Sequence, residues 1–183
     1  MHVTSYGRVM HRPAIAPAQA ELFKRAFRRH AAGVCVVVVH DEAGPVGATM
    51  TSVASVSADP AIVSFSAASS SRLALALADG ARVGVYVLSA AQRPVATALA
   101  RPGPGAFDAA LGWDVLPDGR LALTGAASQL HGRVTNRVPA GASVLALMQV
   151  DEVVVGDPDV RPLVHHDRDY WELAQPATAS RLR

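Results

Sequence analysis

The chain has 183 residues, half of them hydrophobic, so it fits one domain with a real core and is not disordered over most of its length. Seventeen basic against 15 acidic residues leave a net charge of only +2, with no basic stripe interleaved with aromatics, which argues against nucleic acid as a partner. A single cysteine, Cys35, excludes an internal disulfide framework and a multi-cysteine zinc site, and no run of about 20 apolar residues offers a membrane-crossing helix.

Residues 1–18, with Pro13 and Pro17, read as a loosely docked arm. They carry His2, Arg8, His11 and Arg12 and no continuous apolar centre, so no secretory leader is expected and the cytoplasm is the expected location. From Gln19 the pattern is helical. Leu22, Phe23, Ala26 and Phe27 fall on one face and Glu21, Lys24, Arg25, Arg28 and Arg29 on the other, with Gly33 as the expected stop. His30 is expected to serve the helix end.

Residues 34–40 form a β-branched run that contains Cys35, which reads as a small core hydrophobe. Turn residues 41–45 make 34–51 a hairpin. A third strand is expected over 61–67, a short helix over 69–79, a strand over 81–88 and a second short helix from Ser89, with Pro94 in its first turn. Residues 101–119 read as irregular, with Phe107 and Trp113 as apolar anchors. Long strands at 128–138 and 143–155 are joined by a turn at 139–141, and 161–173 is a last strand pair. Residues 19–173 thus form one mainly β domain with short helices, followed by a polar tail at 174–183.

One stretch concentrates polar groups suited to a ligand. Small and hydroxylated residues crowd 47–57, and Ser69-Ser70-Ser71-Arg72 opens the helix-like run behind them. Small side chains let a planar ring approach the backbone, and a helix start with serines and a guanidinium suits a phosphate. A ring at one end and a phosphate at the other describe flavin mononucleotide. Thr49, Met50, Thr51 and Ser52 are the candidates for the ring and ribityl chain, and Ser66, Ser70, Ser71 and Arg72 for the phosphate end. His165 and His166 are adjacent on a strand and so point to opposite faces, which argues against a metal site.

In the blocks 27–34, 47–57, Asp59-Pro60, 83–88 with Gln92, and Pro162-Leu-Val-His-His166 with Tyr170, the chain resembles the flavin reductase-like family, the FMN-binding split barrels of two-component monooxygenases. The resemblance implies a split β-barrel homodimer that binds FMN, or FAD, and takes its hydride from NADH or NADPH. It would supply reduced flavin to a partner monooxygenase. It also implies a catalytic-pocket role for His166 and a cofactor contact for Tyr170. Where many relatives carry Gly-Asp-His, this chain has Gly141-Ala142-Ser143, and Tyr86 replaces an asparagine. Two further readings stay open: a flavoenzyme acting directly on a quinone or other aromatic, and a non-catalytic flavin-binding module.

Overall fold

The computed structural model describes residues 16–101 and 103–174. Nearly all of the expected arm (1–18) and tail (174–183) lies outside the described residues. Helix α1 (Pro17–Arg28) starts two residues earlier than the sequence pattern placed it, with Pro17 in its first turn. It also stops short of Gly33, because the chain turns at Arg29 and enters strand β1 (Ala32–Gly33).

Strands β2 (Cys35–Asp41) and β3 (Gly44–Met50) make the expected hairpin, followed by β4 (Ala54–Ala58) and β5 (Ala61–Ala68). The sequence pattern missed β4. Its Ala-Ser-Val-Ser-Ala run is an exposed edge strand whose pairing with β5, not its hydrophobicity, sets its conformation. Helix α2 is shorter than expected, Arg72–Ala76, because Leu77 leaves helical backbone geometry at ψ 57°. Then come β6 (Arg82–Val87), a 3-10 turn and α3 (Arg93–Ala100), with Pro94 in its first turn as anticipated. Residues 101–119 are not wholly irregular, since Trp113–Val115 (β7) pairs with Leu121–Leu123 (β8). The long hairpin β9 (Ser128–Ala140) and β10 (Ser143–Val155) turns at Gly141-Ala142, where Gly141 has φ +62°. Strands β11 (Leu163–His166) and β12 (Asp169–Glu172) close the described chain.

The main sheet has seven antiparallel strands in the order β3-β2-β6-β9-β10-β5-β4, and β1-β11-β12 form a smaller sheet beside it. Strand β2 is buried on both faces, which explains its unbroken run of valines. Val37 and Val39 share a core cluster with Phe65 on β5 and Met148 on β10, strands that lie several places away in the sheet. The sheet therefore curls on itself. Register shifts at Leu147/Met148 and Val150/Glu152 and the side-chain-free Gly132 permit the bend, since a Cβ on Gly132 would lie 2.0 Å from the Gln149 carbonyl oxygen. The opposite face of β2, with Val36 and Val38, packs against α3, Trp113, Leu123 and Leu163.

Candidate functional site

Three segments meet in an open cleft of about 660 Å3: the last turns of α1, the bend after β3, and β11 with its following turn. Phe23, Phe27 and His30 form one wall, Thr51, Ser52 and Val53 another, and His165 and Arg168 a third. Nothing on α1 is buried, and the Phe23 and Phe27 rings, 4.6 Å apart, leave more than half of their surface open. Apolar rings facing hydroxyls and imidazoles across an open cleft suit a flat, amphipathic ligand.

The floor of this cleft is held in place by Ser52. Its Oγ accepts a hydrogen bond from the Ser66 amide (3.1 Å) and donates one to the Ser66 carbonyl (3.2 Å), tying the bend to β5. Ser66 therefore acts as an anchor for Ser52. Thr49 and Met50 precede the bend and turn away from the cleft. Thr49 Oγ1 donates to the Ala96 carbonyl on α3 at 2.6 Å, and Met50 packs against the first core cluster.

The serines and arginine expected at a phosphate lie elsewhere. Ser71 caps α2, accepting from the Ala74 amide at 3.1 Å and donating to the Ala68 carbonyl at 2.7 Å. The Arg72 guanidinium grips Asp41 of the β2–β3 turn through two bonds of 2.7 Å, which raises its own pKa and holds the Asp41 carboxyl below the usual carboxylate range. Ser71 and Arg72 line a second cleft of about 540 Å3, with Gly47, Leu99 and Phe107. Ser70 lies exposed on the loop between β5 and α2. The structure thus brings Thr51 and Ser52 together, and Ser71 and Arg72 together, but in different clefts. Ser69 joins this end of β5 to the β9–β10 turn through its amide, which donates to the Ala142 carbonyl at 2.9 Å.

The two adjacent histidines part as strand geometry requires. His165 lines the cleft with Thr51 and Ser52, whereas His166 lines a neighbouring one with Arg25, Arg28 and Arg29. Tyr170 pairs with His165 across the β11–β12 hairpin, their rings 5.7 Å apart, and Arg93 lies over the Tyr170 ring at 5.7 Å. Partial burial, opposed by Arg93, raises the Tyr170 phenol pKa. The sequence reading placed His165 and His166 on opposite faces of one strand, and the structure puts His165 on the face shared with Tyr170.

Cys35 takes no part in either cleft. Burial pushes its thiol up to about 11, which makes it a core side chain. Tyr86 fills the second core cluster, its hydroxyl donating to the Leu121 carbonyl at 2.6 Å.

Known proteins match this chain over most of its length. Residues 27–174 match the family described as the flavin reductase like domain, and the chain belongs to that family. An NADH:FMN oxidoreductase of Rhodococcus erythropolis is 34% identical over 152 residues, 81% of this chain and 79% of that protein. The reductase component of a 4-hydroxyphenylacetate 3-monooxygenase from Thermus thermophilus is 30% identical over 158 residues, covering 86% and 99%. The crystal structure of a flavin reductase domain protein from Arthrobacter sp. FB24 superposes with a TM-score of 0.78 at 32% identity, covering 87% of this chain and 99% of that one.

Proposed function

We propose that the protein is a nicotinamide-dependent flavin reductase that passes reduced FMN to a separate monooxygenase. The observation that carries this reading is the cleft in which Thr51, Ser52 and His165 face Phe23 and Phe27, in a chain of the flavin reductase family. When bound, the flavin supplies the hydride chemistry, so the protein needs no nucleophile or paired carboxylates of its own. Thr51 would offer its hydroxyl, and Thr51 and Ser52 their backbone amides, to the polar edge of the ring, with the Ser52–Ser66 bonds holding the bend in place. Phe23 and Phe27 shield the apolar part of the ring from water. His30 and His165 line the same cleft and would supply imidazole groups beside the ring. Ser70, Ser71 and Arg72 remain the proposed phosphate end, reached by a ribityl chain that passes the end of β5. His166 in the adjoining cleft and Tyr170 beside His165 remain the proposed pocket histidine and cofactor contact.

The proposed assembly is a split-barrel homodimer. Beyond Gln149, β10 no longer pairs with β5, and Val153, Val154 and Val155 are exposed along the unpaired edge. Such an edge needs a cover, and a second copy supplies one of matching shape. The partner monooxygenase is supported by the Thermus relative, whose name makes it the reductase component of such a pair. Titration of the purified protein with FMN, followed by flavin fluorescence and NADH oxidation, tests the reading. Oxidation that saturates with added FMN supports it, and flavin that stays bound while a third compound is consumed would favour a direct-acting flavoenzyme.

A further inference from the structure

Beside the ring cleft lies a basic one of about 410 Å3, lined by Arg25, Arg28, Arg29, His166 and Asp167. The three arginines fall at i, i+3 and i+4, so they share one face of the α1 end. Arg28 lines both clefts, so the two adjoin, and Arg168 lines the ring cleft from the β11–β12 turn. The Asp167 amide donates to the Arg28 carbonyl at 3.0 Å and fixes the turn against the helix. That turn places Asp167 at φ +46° and Arg168 at φ +69°, a backbone region where glycine or asparagine is the ordinary choice.

A row of arginines on a helix is most often a solvated face, but among the described residues none of Arg25, Arg28 and Arg29 forms an ion pair within 4 Å. Among the described residues, the acid of α1, Glu21, bonds Lys24 at 2.7 Å and also feels the Arg28 and Arg168 charges, and Asp169 holds Arg93 at 2.9 Å. The cleft lining carries three guanidiniums against one carboxylate, Asp167, and with Glu21 acting on Arg28 an excess of positive charge still remains. A phosphate monoester carries close to two negative charges near neutral pH, and guanidinium forks match its oxygens. The ring cleft it adjoins is the one assigned above to flavin and its reductant, and the inference rests on that reading.

We propose that this basic wall binds the 2′-phosphate of the reductant, so that the enzyme accepts NADPH as well as NADH. The flavin's own phosphate is the other source of this chemistry, and the test separates the two. Binding of adenosine 2′,5′-bisphosphate and of 5′-AMP is measured by calorimetry on the FMN-loaded protein, alongside steady-state rates with NADPH and NADH. The bisphosphate is expected to bind at least about tenfold tighter, as one charge-assisted contact predicts. In the exposed double variant R25Q/R29Q, both that preference and the NADPH-to-NADH ratio of kcat/KM fall about tenfold. Arg168→Gly, which relieves the backbone at φ +69°, lowers the same ratio without unfolding the protein.

Equal binding of the two nucleotides, or an unchanged ratio in both variants, overturns the proposal. Loss of discrimination between FMN and riboflavin in R25Q/R29Q, with the nucleotide preference intact, also overturns it and assigns the wall to the flavin phosphate. A protein that oxidises neither reductant and binds no FMN refutes the reductase reading, while the nucleotide pair still decides whether the wall selects a 2′-phosphate.

Discussion

Tyr86 shows how much of the fold one buried residue can tie together. Its ring meets Trp113 edge-on at 4.9 Å and His131 at 5.9 Å, its hydroxyl bonds the Leu121 carbonyl, and Gly84 beside it leaves the room it needs. Tyr86→Phe should cost about 1–2 kcal/mol in chemical denaturation, since it strands a buried carbonyl, and should leave FMN affinity unchanged. His131, in the same cluster, has its pKa lowered below 6.5, first by burial and then by the Arg120 charge. The unfolded chain therefore binds a proton more readily than the folded one. The stability His131 contributes is complete above about pH 6.5 and declines as the pH falls through that value. Denaturation midpoints at pH 7.5 and 5.5 should differ less in His131→Gln than in the parent protein. An equal pH dependence in both would remove His131 as a source of acid sensitivity. Arg72 tests the phosphate assignment directly. If it holds a phosphate despite its grip on Asp41, Arg72→Ala weakens FMN binding far more than riboflavin binding; equal losses would leave it a purely structural ion pair.

Elements were legible in the sequence in proportion to how far their own side chains dictated them. The valine run of β2, the turn at residues 41–44, the Pro94 helix start and the long β9–β10 hairpin all follow from local pattern. Strand β4 and the short β7–β8 hairpin did not show, because each is fixed by the strand it pairs with rather than by its own apolar period. The end of α1 was misplaced because Gly33 is a good helix stop, yet here it pairs with Val164 in β1. The candidate site was legible in part. The 47–57 block did mark the bend, but within it the two faces of β3 send Thr49 to α3 and Met50 to the core, a division set by register. The choice between His165 and His166 was of the same kind. It depended on which face of β11 looks toward Thr51, and that is decided by pairing with β1 and β12. At this scale, Ser52→Ala removes both bonds that tie the bend to β5 and should loosen FMN severalfold, read as a higher Kd in a fluorescence titration. Gly132→Ala drives a Cβ into the Gln149 carbonyl and should cost about 3 kcal/mol or prevent folding, visible as lost soluble yield.

At the scale of the molecule, the curled sheet presents two open features at its margin: the aromatic wall of α1 and the unpaired valine edge of β10. Both are expensive to leave facing water. The proposed flavin ring would cover the first and a proposed second copy the second. Val154→Lys with Val155→Lys should therefore shift the protein from dimer to monomer in sedimentation velocity; a parent protein that already sediments as a monomer would contradict the assembly. The central claim, that the cleft between α1, the Thr51-Ser52 bend and β11 supports hydride transfer to flavin, is tested most directly by following NADH oxidation against added FMN. A rate that is negligible without flavin and saturates as FMN is added is the predicted result. Tight FMN binding with no oxidation of NADH or NADPH would contradict it.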